Sequence, residues 1–207
     1  MLSAMLLAAT LSVTPLDLLN NAVEYFHTVD SYRVTIHSTH AEGDEHLRYY
    51  YRKPGFVRME FIHPHAGAVL VYNPASKRVR LWPFGEGHFP ELNLAPDNPL
   101  LRSSRDQQID RSDVGALLEN VSILCAEGHS EILGEESEDG HTLVHLVVTG
   151  SSNFALANLH SYELWLDSVN QFPVKVISRD RQNAIIETVI MQALEINLML
   201  QDALFNP

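Results

Sequence analysis

The chain is poor in several residue types, and each scarcity removes a class of function. Cys125 is the one cysteine in 207 residues. A single thiol builds no internal disulfide framework and no cysteine-based zinc site. Cys125 closes the apolar run Val121–Cys125 with Glu127 as its nearest charge, so it reads as a small buried hydrophobe. A reactive thiol needs a basic neighbourhood instead. Lysine is nearly as scarce: Lys53, Lys77 and Lys175 are the only three among 14 basic residues, against 26 acidic ones, for a net charge of −12. Phosphate neutralisation needs clustered Lys and Arg, and docking on an anionic membrane needs a basic patch, so this balance argues against both partners. Acidity itself identifies no partner; it mainly favours solubility.

Motifs of covalent or cofactor chemistry are missing too. No G-x-S-x-G elbow occurs, and Gly150-Ser151-Ser152 lacks the second glycine and the helix that should follow. Gly85-Glu86-Gly87 has an acidic centre that would repel phosphate, and no P-loop or G-x-G-x-x-G is present. Of the 11 histidines, His37, His40 and His46 fall on one hairpin and His63-Pro64-His65 on a turn. Strand residues three apart point to opposite faces, so His37 and His40 share no site without a bulge. No enzymatic activity, no metal site and no cofactor are expected.

What is present is apolar: 45% of the residues are hydrophobic, enough for one sizeable core, and no linker divides the chain. Met1–Val13 is uncharged and apolar, long enough for the hydrophobic region of a signal peptide and too short to span a bilayer. Ala8-Ala9 offers a cleavage site, but no basic residue precedes Arg33. The reading is an export segment over 1–13 whose basic start is missing from this frame, with a helix packed on the domain as the alternative. Residues 14–207 then form one domain.

Thr14-Pro15-Leu16-Asp17 marks a helix start, followed by the stripe Leu19, Ala22, Val23 and Phe26. From Tyr32 the period changes to two. Strands are predicted over 33–40, 45–52, 56–62, 68–72 and 77–82, with turns at Ala41–Asp44, Pro54-Gly55, His63–Gly67 and Asn73–Ser76. Gly85–Asp113, with Pro90, Pro96 and Pro99, reads as a long functional loop or lid. A short helix follows, capped by Ser112 or Asp113 and striped by Val114, Leu117, Leu118 and Val121. Strands resume over 130–134 and 142–149 around an acidic turn Glu135–Gly140, then over 160–167, 173–180 and 185–196. A helix over Met191–Ala203 is the alternative for the end of the last one. Short strands at this spacing specify an antiparallel sheet. Tyr49, Tyr50, Tyr51, Phe56, Met59, Phe61, Trp82, Phe84, Phe89 and Trp165 recur on or beside these strands. As a set they suit either a packed core or one concave face of a curved sheet, and two short helices give little cover.

The order Arg52-Lys53-Pro54-Gly55-Phe56-Val57-Arg58-Met59-Glu60-Phe61, then Pro64, Val69-Leu70-Val71-Tyr72-Asn73 and Val79-Arg80-Leu81-Trp82, resembles the LolA/LolB-type lipoprotein carriers. Tyr162–Asp167, Pro173–Val176 and the ending Phe205-Asn206-Pro207 match that family's closing strands, and the similarity extends over Leu16–Pro207. The resemblance implies a mostly β (α+β) fold: a strongly curved antiparallel sheet forming a half-open barrel, with an N-terminal helix and a short lid helix over its concave face. It implies a cavity lined by Tyr49, Tyr51, Met59, Phe61, Val69, Val71, Leu81, Trp82, Phe84, Leu117, Val121 and Trp165. It also implies a lid latch. The carriers place an arginine directly before the proline; here Lys53 stands there, with Arg52 one earlier and Arg58 on the next strand. Lysine keeps the charge without the planar fork.

The implied function is a periplasmic carrier of lipid or lipoprotein acyl chains toward the outer membrane, working with inner- and outer-membrane transport proteins. A ligand-sensing regulatory module of the sigma-E regulator type is the alternative. Those proteins carry a second domain after the sheet, and the ending at Pro207 disfavours them. A structural domain with a filled core is the third possibility, and one fold serves all three.

Overall fold

The computed structural model describes residues 13–101, 108–138 and 140–206. The sequence-based export segment lies, except for Val13, outside the described residues, as does Pro207. Helix α1 (Pro15–Thr28) starts as expected: the Thr14 hydroxyl accepts from the Asp17 N–H, and the Asp17 carboxylate accepts from the Thr14 N–H. This capping box satisfies two backbone donors of the first turn.

An antiparallel meander follows: β1 (Ser31–His40), β2 (Gly43–Arg52), β3 (Phe56–His63), β4 (Val69–Asn73), β5 (Arg78–Trp82) and β6 (Leu92–Leu94). Helix α2 (Val114–Ala126) then carries the chain to a second meander: β7 (Gly128–Glu138), β8 (His141–Gly150), β9 (Ser161–Asp167), β10 (Pro173–Arg179) and β11 (Ile185–Ile196). The meanders join through β1 and β11, giving one 11-stranded sheet in the order β6-β5-β4-β3-β2-β1-β11-β10-β9-β8-β7. Edges β6 and β7 do not pair, so the sheet is an open half-barrel, and α2 crosses between them.

One expectation needs correction. The acidic run Glu135–Glu138 is strand, paired with Thr142–Val144 and His141, because a bulge at Ile132–Gly134 re-registers the β7–β8 hairpin and carries it to its tip. The strand reading of 185–196 agrees with the structure over its helical alternative: β11 runs to Ile196, with Met191, Gln192, Glu195 and Ile196 paired to β1, and a 3₁₀ turn forms at Asp202–Leu204.

Register decides which side chains meet. Tyr32, Val34, Ile36 and Ser38 of β1 lie opposite Tyr51, Tyr49, Leu47 and Glu45 of β2, all on the concave face. Across the second meander Leu164 pairs with Leu146 and Val176, again inward. Leu18, Leu19, Ala22 and Phe26 of α1, with Leu118, Val121 and Leu124 of α2, bury themselves against this face in one core. A second, smaller core lies on the convex face: Tyr50, Val69, Val71 and Trp82 under Phe205, Leu200 and Leu204 of the C-terminal segment. Among the described residues no helix is long and apolar enough to cross a membrane.

The turn after β9 carries a pH dependence. Burial pushes the Asp167 carboxyl up, but the N–H groups of Val169 and Asn170 (2.9 and 3.1 Å) and the His141 ring (2.8 Å) outweigh it, so its pKa lies below the usual carboxylate value. A depressed native pKa gives stability that is full above the unfolded-state value of ~3.9 and is lost as pH falls through the native one. Asp167→Asn should therefore flatten the acid limb of a Tm-against-pH curve; an unchanged limb would disprove this role.

Candidate functional site

Between the concave face and the N-terminal end of α2 lies a cavity of about 500 Å³. Its size falls in the range of small-ligand sites, ~300–1,000 Å³. β1 supplies Tyr32, Val34, Ile36 and Ser38, alternate residues along one face; at ~3.3 Å per residue they span roughly 20 Å. Leu47, Tyr49, Met59, Phe61, Leu70 and Leu81 extend the wall across β2 to β5. Val176, Val189 and Met191 form the other side, and Leu100, Leu101, Ile109, Val114 and Leu117 close over it.

Each end of the cavity has polar groups of a different kind. At the α2 end they are paired among themselves. The Tyr32 hydroxyl accepts from the Val114 N–H at 3.2 Å, Tyr49 and Ser112 share a hydrogen bond at 3.0 Å, and Asp113 caps α2 through the Ala116 N–H at 3.1 Å. Burial raises the pKa of both Tyr32 and Tyr49, and burial also pushes the Tyr51 phenol up to about 12, so all three are neutral donors. Burial likewise raises the Asp113 carboxyl, against the pull of the Ala116 N–H. At the hairpin end stand Ser38, Glu45, Glu187 and the exposed His65. Glu187 is buried at 6% exposure and accepts from the Ser38 hydroxyl.

The structure brings together five of the twelve expected lining residues: Tyr49, Met59, Phe61, Leu81 and Leu117. Tyr51 and Val121 belong to the adjoining core, Tyr51 beneath Phe26 and Tyr32, and do not reach the cavity wall. Val69, Val71 and Trp82 are corrected to the convex face, where the C-terminal segment covers them. Trp165 is also on the convex side, stacked on His145 at 4.0 Å with Lys175 4.2 Å from its ring centre. Phe84 projects outward, 69% exposed.

The three expected latch residues fall in two places. Arg52 bonds Asp202 at 2.7 Å and lies over the Phe56 and Phe205 rings; Arg58 bonds the Leu204 carbonyl at 3.0 Å. Both clasp the C-terminal segment to the convex face. Lys53 reaches the end of α1, donating to the His27 carbonyl at 2.7 Å, and pairs with Asp30 at 3.4 Å. A cation suits that helix end. Tyr32, Val34, Ile36, Leu47, Glu45 and Glu187 also line the cavity without belonging to any motif, and the period-two pattern from Tyr32 to Ser38 is the signal for the first three.

No protein-family model matches the chain, and no curated protein matches it. Solved structures do. A chain of the Pseudomonas aeruginosa MucA/MucB complex aligns over 92% of this chain at 18% identity and TM-score 0.58; the alignment spans 60% of that chain. An uncharacterised conserved protein from Thermus thermophilus aligns over 93% of this chain and 92% of its own at 12% identity, TM-score 0.56. Lipoprotein LppX of Mycobacterium tuberculosis aligns over 90% and 97% at 10% identity, TM-score 0.56. At these identities the likeness is one of fold. The shared fold is a mostly β half-barrel: an open antiparallel sheet holding helices in its concavity.

Proposed function

We propose that the cavity holds an acyl chain of a lipid or lipoprotein, and that the protein carries it through the periplasm toward the outer membrane. The observation that carries this reading is the apolar cavity of about 500 Å³ left under α2 in an otherwise filled concave face. Each buried CH₂ contributes ~0.8 kcal/mol, so a chain of several methylenes suffices for binding without polar contacts. The site is the wall from Tyr49, Met59, Phe61 and Leu81 to Leu117, extended by Tyr32, Val34, Ile36 and Leu70. Movement of α2 away from the sheet opens it, which couples binding to a conformational change. Residues 1–13 act as the export signal, and membrane transport proteins load and unload the carrier.

Native mass spectrometry with lipid extraction, on protein from a periplasmic fraction, tests this reading. Acyl lipid should co-purify. Met59 is half-buried and lines the cavity, so Met59→Trp adds bulk beside the open space. Met59→Trp should keep its Tm within ~2 °C and weaken uptake of a hydrophobic dye at least about tenfold. Lipid-free protein that also takes up no dye would sink the reading.

The second reading, a regulatory module that holds a partner protein, is favoured by the alignment with the MucA/MucB complex. It expects a co-purifying protein that survives Met59→Trp.

A further inference from the structure

The two ends of the cavity are chemically unlike, and the difference specifies the ligand more narrowly. At the α2 end Tyr32, Tyr49 and Ser112 are bonded within the protein and the Asp113 carboxyl is taken up in capping α2, so that end offers a ligand mainly apolar contact. At the hairpin end the groups are carboxylates. Glu45 of β2 and Glu187 of β11 flank Ser38 of β1: Glu45 is the cross-strand partner of Ser38, whose other partner, Val189, is two residues from Glu187. All point to the concave face, where both acids line the cavity. Glu187 is bonded to Ser38. The Glu45 carboxylate makes no hydrogen bond or ion pair with a described residue.

Burial pushes the Glu45 carboxyl up; His40 and His65 pull it down, Glu187 pushes it up again, and the net shift is upward. Carboxylates crowded at the edge of an apolar cavity are costly unless a cation joins them. Ionised, they accept hydrogen bonds and donate none. Exposed His65 and the half-buried Glu45 place this end beside solvent, as an amphiphile's polar head requires.

We propose that the cavity takes an amphiphile with a cationic amine head, the ammonium held by Glu45 and Glu187 and the alkyl tail running along β1 toward Tyr32 and Val114. The proposal rests on the reading of the cavity as an acyl-chain site and narrows its ligand class. An anionic head is disfavoured at the same position by like charge, so the acid pair also acts against free fatty acids.

Three probes of equal chain length, decylammonium, decanol and decanoate, each displace a bound hydrophobic dye from the intact protein at neutral pH. Decylammonium should displace it at a concentration about tenfold below decanol, and decanoate should be weakest. In Glu45→Gln, and in Glu45→Gln with Glu187→Gln, the amine's advantage should fall below about threefold while decanol is unchanged. Equal displacement by all three probes, or decanoate the strongest, overturns the amine proposal and leaves the acyl-chain reading standing. A protein that binds neither dye nor any probe overturns both. The wild-type ranking decides the matter even if a variant fails to fold.

Discussion

Replacing Gly128 by alanine should cost more than ~3 kcal/mol and lower the Tm by at least about 6 °C. Gly128 is the first residue of β7, one beyond the Glu127 cap of α2, and it pairs with Gly150. A β-carbon there overlaps the Thr149 carbonyl oxygen and lies 2.7 Å from the Gly150 Cα, so it meets backbone that has no rotamer to change. Gly150 is crowded too, though less, with the Phe154 carbonyl oxygen 2.7 Å from its would-be β-carbon and a Leu124 methyl at 3.0 Å. These two glycines let the helix over the cavity pass directly into the edge hairpin. Alanine at 128 must push β7 off β8. Thermal unfolding followed by circular dichroism measures the loss; a Tm within ~2 °C of the parent would refute this account of the junction.

Arg58→Ala should cost ~2–3 kcal/mol, because it removes a buried guanidinium whose charge-assisted hydrogen bonds hold two acids and a carbonyl, leaving Glu60 with Arg48 at 3.9 Å and the exposed Glu86 to solvent. The guanidinium donates to Glu60 and to Glu86, each at 2.8 Å, and to the Leu204 carbonyl at 3.0 Å, with its side chain 7% exposed. It ties the C-terminal segment to the convex face, so its loss should also speed proteolysis of residues 198–206 while dye uptake by the cavity persists. Arg58→Lys keeps the charge and loses the fork, and should recover part of the stability. Urea denaturation and limited proteolysis read both effects. A lid-latch role for Arg58 predicts the opposite pattern, altered dye uptake with an unchanged C-terminal segment.

The strand and helix boundaries were legible because local chemistry specifies them. Thr14, Pro15 and Asp17 write the start of α1, and Asp113 that of α2. Alternation over Tyr32–Ser38 and Phe56–Phe61 writes one inward and one outward face. The acidic tip Glu135–Glu138 looked like a turn because its residues are polar. As an edge hairpin exposed on both sides it needs no apolar face, and backbone pairing alone makes it strand.

The sequence by itself determined an antiparallel β-rich domain with an N-terminal helix, a later helix and no signature of covalent chemistry. Tertiary structure decided which residues face the cavity. Val69–Tyr72 is apolar on both sides, and a strand without alternation does not say which face is concave. Its outward residues Val69 and Val71 are buried because Phe205, more than a hundred residues away in the chain, folds back over them with Arg52 and Arg58 holding the segment down. Glu45 and Glu187 are equally distant in sequence. Only the pairing of β1 with both β2 and β11 sets them on either side of Ser38, because strand register converts sequence distance into side-chain contact.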